Sequence, residues 1–256
     1  IKKSFEQFID STEKLAIWCK DCEDIPTLDI KNKNIVWYSI NKEDAHIFAT
    51  NITVKNGFTV YEVIKNGKNL GEFSLSIPGE HNVSNSLPVI YMAHEAGCNM
   101  ELVKEKLKKF KGANRRYQVI YDDKIRIIDD YAHHPTEIKV TIDAARKTEK
   151  GKVTVIFQPH RYSRTKFFFD DFVEALKKAD RLILLPIYGA GEENTYEVTS
   201  ENLAEKIGKD VKVCNEKEVE KIIMNTRKNN DTFIFMGAGS VSKFAHETKE
   251  KLKEIK

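Results

Sequence analysis

Apolar and polar positions fall into two textures along the chain. Up to about Lys111 the pattern is mixed. Phe5, Phe8 and Ile9 share one stripe of an opening amphipathic helix, and a short apolar run, Leu15 to Cys19, follows. Strand-like runs come next at Ile35–Ile40, Ala49–Val54, Phe58–Ile64 and Leu70–Ile77. Asn56-Gly57 and Asn66-Gly67 separate the last three, and Asn-Gly is a strong hairpin signal. The last two runs alternate, as in an antiparallel sheet with one face exposed. Helices are predicted over about Val83–Ala96 and Met100–Lys109, with Pro88 expected to kink the first or mark a late start.

From Gly112 onward, short β-rich runs alternate with amphipathic helices. Tyr117–Tyr121 and Ile125–Asp129 read as a hairpin around Asp122-Asp123. Strands are predicted at Val153–Phe157, Arg181–Pro186, Val211–Cys214 and Thr232–Met236. Helices are predicted at Pro135–Thr148, Thr165–Lys178, Ser200–Ile207, Lys217–Lys228 and Val241–Glu254. This alternation implies parallel strands with crossover helices, a Rossmann-like doubly wound α/β sheet that receives ligands beyond the carboxyl ends of its strands.

Composition narrows the function classes. The 256 residues carry 42 basic and 39 acidic side chains, so net charge makes no case for nucleic-acid or membrane partners. No apolar run reaches membrane-span length, and no leader segment opens the chain. Ile1 in place of methionine reads as a boundary within a longer chain. Four scattered cysteines suit a reducing, cytoplasmic setting. Cys19 and Cys22 have redox-pair spacing, but that motif needs a helix opening at the first cysteine, and Glu23-Asp24-Ile25-Pro26 does not extend one.

Chemistry-bearing residues cluster after the predicted strands. Asp129-Asp130-Tyr131-Ala132-His133-His134-Pro135 follows one, and Gln158-Pro159-His160-Arg161-Tyr162-Ser163-Arg164 another. Arg161 and Arg164 lie three apart, offering planar forks to an anionic group near a helix amino terminus. Asp129 and Asp130 could accept from sugar hydroxyls, and one of them could also cap the next helix. Asn82 and Asn85 carry donor and acceptor, as a base edge requires. Adjacent His133 and His134 would rarely chelate one ion, so no metal is assigned to them. Gly237-Ala238-Gly239 reads as a tight strand-to-helix turn rather than a dinucleotide fingerprint. Arg115-Arg116, after Gly112, reads as a placed ligand contact.

At these clusters the sequence resembles the Mur ligase family. The segments that carry the likeness are Pro78-Gly79-Glu80-His81-Asn82-Val83-Ser84-Asn85, Gly112-Ala113-Asn114-Arg115-Arg116, Asp129 through Glu137, and Phe157 through Thr165. The likeness implies a fold with 1–111 as the end of a mixed α/β, ATPase-type central domain and 112–256 as the Rossmann-like carboxy-terminal domain. It implies ATP and Mg2+ as cofactors. The last two segments point to the branch that joins L-alanine to UDP-N-acetylmuramate through an acyl phosphate. His81, Asn82 and Asn85 would then face adenine, Arg115 or Arg116 the phosphates, and Asp130 with Tyr131 the ribose. His133, His134, His160, Arg161 and Arg164 would bind substrate, with His134 and Arg161 closest to the chemistry. No Gly-x-x-x-x-Gly-Lys-Thr/Ser loop occurs in these residues. That loop, the magnesium-binding glutamate and the uridine-binding domain are expected upstream, in a missing amino-terminal part of the same protein. The alternatives are a ligase that recycles a ready-made tripeptide and a non-catalytic nucleotide-binding module.

Overall fold

The computed structural model describes residues 2–208 and 211–254. Two compact units emerge, Ile1–Lys111 and Gly112–Lys256.

The first unit opens with helix α1 (Lys2–Asp10), then strands β1 (Ala16–Cys19), β2 (Ile35–Ser39), β3 (Ile47–Lys55), β4 (Phe58–Lys65) and β5 (Lys68–Leu75). They form one sheet in chain order, parallel from β1 to β3 and antiparallel from β3 to β5. Asn56 and Gly57 (φ 51° and 80°), and Asn66 and Gly67 (φ 49° and 77°), place both turn residues at positive φ. That conformation matches the twist of the flanking strands. Helices α2 (Glu80–Glu95) and α3 (Met100–Lys109) complete the unit. Val83, Leu87, Ile90 and Tyr91 of α2 pack on Val36, Ile47, Tyr61 and Phe73 of the sheet. This burial overrides Pro88: the helix runs through it and starts before Val83, so the expected late start is corrected. Cys19 ends a strand and the short 3-10 turn Ile25–Thr27 comes later, so no helix opens at Cys19 for a redox pair.

The second unit contains β6 (Gln118–Asp122), β7 (Arg126–Asp130), α4 (Pro135–Thr148), β8 (Val153–Phe157), α5 (Tyr162–Phe167), α6 (Phe169–Leu176) and β9 (Arg181–Leu184). It continues with α7 (Ser200–Ile207), β10 (Lys212–Val213), α8 (Glu216–Thr226), β11 (Thr232–Met236) and α9 (Val241–Glu254). Strand order is β10-β9-β8-β11-β7-β6, parallel except for β6 against β7. The central strands are buried on both faces. Val155 and Phe157 join one core with Ile138, Phe172 and Leu203, while Ile156 joins the other with Phe233, Phe235 and Phe244. The helix predicted over 165–178 is two helices, broken at Phe168 and beginning earlier, at Tyr162. The strand expected over 211–214 shrinks to Lys212–Val213. Among the described residues no helix is long and apolar enough to cross a membrane.

Candidate functional site

In the first unit, Gly79 (φ 103°) turns the chain into α2, a backbone state that glycine adopts without steric cost. His81 and Asn85 lie four residues apart on one helix face. Asn85 is exposed, while Asn82 is half-buried and its amide donates to the Pro78 carbonyl at 2.7 Å. Part of the hydrogen-bonding capacity expected of Asn82 is therefore used in holding the turn.

In the second unit the carboxyl ends of β7, β8 and β11 bring the other clusters together. Asp130 is 4 % exposed. Its carboxylate accepts the Tyr117 and Ala132 backbone N–H groups, both at 2.7 Å. Asp129 accepts from the Ser242 hydroxyl at 2.6 Å and faces the Arg115 Nε at 3.7 Å. Neither aspartate caps α4, contrary to the expected cap: His134 does, its Nδ1 accepting the Thr136 N–H at 3.3 Å. Glu137 completes the cap by accepting the His133 and His134 N–H groups.

Burial pushes the Asp130 carboxyl up to about 6, overcoming its two backbone donors. A raised acid contributes stability below its ordinary value of 3.8 that is lost as pH rises through about 6. The swing is on the order of 3 kcal/mol. Asp130→Asn should flatten this part of the pH profile. Urea unfolding of wild type and variant at pH 4 and pH 7 checks it, and identical pH responses would refute the assignment.

Arg115 and Arg116 place their guanidinium carbons 4.8 and 5.5 Å from the Tyr131 ring centre. Arg115 Nη2 donates to the Gly237 carbonyl at 2.6 Å, and its buried Nε has no hydrogen-bond partner. The rings continue as a ladder: Tyr131 to His133 at 4.9 Å, His133 to His160 at 6.2 Å, and His160 stacked on Tyr188 at 5.5 Å. His134 instead meets Phe168 edge-on at 4.8 Å.

His160 Nδ1 and Arg164 Nη1 are buried without hydrogen-bond partners. Burial, with Arg164, His133 and Arg161 nearby, holds the His160 imidazole below its ordinary value. Arg161 adopts φ 73°, an uncommon state for a residue with a side chain. Its Nη1 lies 3.6 Å from Glu192. Glu192 had no assigned role in the sequence. Its carboxylate accepts both the backbone N–H and the hydroxyl of Ser163, at 3.0 and 2.7 Å. Tyr188 lies in the same strand-end cluster, Pro186 through Glu192, which the sequence marks without assigning it a role; its carbonyl accepts the Arg161 N–H at 2.8 Å. Both residues pin the loop after β9 to the turn after β8, a pairing between segments far apart in the chain.

The carboxyl ends of an α/β sheet thus gather guanidinium and imidazole side chains, with His160 Nδ1 and Arg164 Nη1 left without hydrogen-bond partners. The chain belongs to the Mur ligase family: the Mur ligase middle domain matches residues 1–93, and the Mur ligase glutamate ligase domain matches 115–239. It is 46% identical to a UDP-N-acetylmuramate–L-alanine ligase of Fusobacterium nucleatum, over 98% of this chain and 57% of that protein. With a protein of the same name from Aquifex aeolicus it shares 39% identity, over 100% and 56%. The structure of UDP-N-acetylmuramate–alanine ligase from Thermotoga maritima superposes with TM-score 0.79 at 28% identity, covering all of this chain and 55% of that one. The chain therefore spans little more than half the length of the curated relatives it matches.

Proposed function

We propose that these residues are the end of the central domain and the whole carboxy-terminal domain of a cytoplasmic ATP-dependent ligase. The whole protein would join L-alanine to UDP-N-acetylmuramate in peptidoglycan precursor synthesis. The observation that carries this reading is the cationic turn after β8, where buried Arg164 Nη1 and His160 Nδ1 have no partner beside Arg161. Such nitrogens suit the carboxylate of an amino acid. The 46% identical relative supports alanine as that amino acid.

The nucleotide is assigned to the remaining residues. Arg115 and Arg116 offer two guanidinium groups on the Tyr131 ring to phosphate oxygens, Arg115 being held in place by the Gly237 carbonyl and Asp129. His81, Asn82 and Asn85 are assigned to the adenine, and Asp130 and Tyr131 to the ribose. Both Asp130 oxygens already hold backbone N–H groups, so ribose would use a remaining lone pair. His134 retains Nε2–H as a donor to substrate, because its Nδ1 caps α4. ATP supplies the phosphoryl group that activates the carboxylate of the sugar nucleotide. Catalysis otherwise rests on positioning and charge neutralisation by these side chains. Among the described residues no group of three His, Cys, Asp or Glu side chains gathers to hold a metal, and Mg2+ is assigned no ligand within them.

The test is phosphate release by the full-length protein with ATP, Mg2+ and UDP-N-acetylmuramate, with L-alanine or a muropeptide-type tripeptide as acceptor. L-Alanine should be strongly preferred; preference for the tripeptide, or no turnover, would overturn the reading. The 256-residue chain by itself should show no turnover, because it contains no Gly-x-x-x-x-Gly-Lys-Thr/Ser loop.

A further inference from the structure

His133 and His134 are neighbours in sequence but opposite tautomers in the fold. His134 Nδ1 accepts the Thr136 N–H, so the proton of its neutral ring sits on Nε2. His133 Nδ1 lies 2.9 Å from the Tyr131 carbonyl oxygen and 3.3 Å from the Glu137 carboxylate. Both neighbours are acceptors, so Nδ1 must carry the proton. The neutral ring keeps its lone pair on Nε2, which has no hydrogen-bond partner among the described residues. Glu137 is itself held by the His133 and His134 N–H groups and by Arg116 Nη1 at 3.2 Å. Tyr131 and His160 flank the imidazole. A carboxylate that orients an imidazole with its far nitrogen bare is the arrangement by which enzymes prepare a proton acceptor.

The ligase reading creates a need for such a group. An amino acid arrives as an ammonium, and nitrogen attacks only after losing a proton. The residues assigned to its carboxylate are His160, Arg161 and Arg164, and His160 touches the His133 ring. Ammonium and carboxylate of an α-amino acid hang from one carbon, so a group beside the carboxylate site also reaches the nitrogen. His160 is poorly suited to the task. Its Nδ1 is already assigned to the substrate carboxylate, and burial with Arg164 and Arg161 nearby opposes a further positive charge on its ring. His133 has Glu137 to balance the charge it would gain.

We propose that His133 Nε2 is the general base that deprotonates the incoming amino acid, with Glu137 as the positioning residue that sets its tautomer. This rests on the ligase reading above. One proton moves from the substrate ammonium to Nε2, giving an imidazolium paired with Glu137. The freed nitrogen lone pair forms the C–N bond at the acyl-phosphate carbon. The C–O bond to phosphate breaks, and the leaving phosphate takes the second nitrogen proton.

Hydroxylamine provides the test, since its nitrogen is unprotonated at neutral pH and needs no base to trap an acyl phosphate as hydroxamate. Full-length wild type and His133→Asn are compared, asparagine keeping a donor near the Nδ1–H position while removing Nε2. Amide formation with L-alanine should fall about a hundredfold. Hydroxamate formation should fall far less, so that the amide-to-hydroxamate ratio drops about tenfold or more, and the hydroxamate that forms also reports that the variant is folded and still activates its carboxylate. Glu137→Gln should skew the two rates in the same direction by a smaller factor, and added imidazole should restore part of amide formation in His133→Gly. An equal fall of both products, or an unchanged alanine rate, overturns His133 as the base while leaving the ligase reading intact. Absence of both products from wild type overturns the ligase reading and the base with it.

Discussion

Replacing Arg161 by glycine in the full-length protein should lower kcat/KM for L-alanine about a hundredfold, yet raise the thermal unfolding midpoint. Arg161 stands at φ 73° and ψ 135°. A side chain in so sparsely populated a backbone state costs on the order of 1–3 kcal/mol. Glycine removes most of that strain, for a gain of about 1 kcal/mol, or roughly 2–4 °C in the melting of a domain of about 150 residues such as the one that carries it. The local hydrogen bonds survive, because they are made by the backbone: Arg161 N–H to the Tyr188 carbonyl, and the Arg161 carbonyl to Thr165. The guanidinium is lost, and its half-exposed contact with Glu192 contributes little to stability. Arg161→Ala separates the two effects, since it removes the same charge and keeps the strained backbone. Its activity should match the glycine variant and its midpoint should not rise. Steady-state kinetics and thermal unfolding of the three proteins settle the matter: unchanged kcat/KM would remove Arg161 from the site, and a lower midpoint for glycine would remove the strain.

Gly237→Ala should destabilise the protein by about 3 kcal/mol or more. Gly237 sits at φ 147°, and a Cβ there would lie 2.8 Å from the Gln158 carbonyl oxygen and 3.1 Å from Val241. The obstacle is backbone of the neighbouring strand end, which cannot rotate away. The residue also donates to the Asp130 carbonyl at 3.1 Å and accepts from Arg115, so a shift here displaces two assigned site residues. Gly191→Ala is the control. It too has positive φ, 87°, but its added Cβ meets nothing within 4 Å. It should cost about 1 kcal/mol, for conformation alone. Chemical denaturation of both variants tests the comparison; equal losses would mean that backbone conformation, and not the Gln158 contact, accounts for the Gly237 effect.

Much of the architecture was legible from local pattern. The two Asn-Gly turns need only two residues each, and alternating apolar runs announce which strands are buried on one face. The helices of the second unit likewise follow their apolar periodicity. Where reading failed, the deciding contacts came from elsewhere in the chain. Pro88 should have broken α2, but four apolar residues buried against the sheet hold the helix through it. A continuous helix over 165–178 was expected, and the structure breaks it at Phe168, whose ring meets His134.

The candidate site divides along the same line. Sequence alone determined which residue types gather after which strands, because parallel α/β sheets present their strand ends to ligands whatever lies between them. The pattern placed His160, Arg161 and Arg164 together, and the family resemblance added His133 and His134 to that group. Sequence left the two adjacent histidines interchangeable, since nothing in the string His133-His134 says which ring nitrogen meets a donor and which an acceptor. Tertiary structure decided that: Thr136 N–H claims one ring, and the Tyr131 carbonyl and Glu137 claim the other. It also decided the place of Glu192 and Tyr188, which join the site only because two loops distant in sequence are hydrogen-bonded side by side. A proton's position depends on groups within about 3 Å in space, and distance in space is what the order of residues does not record.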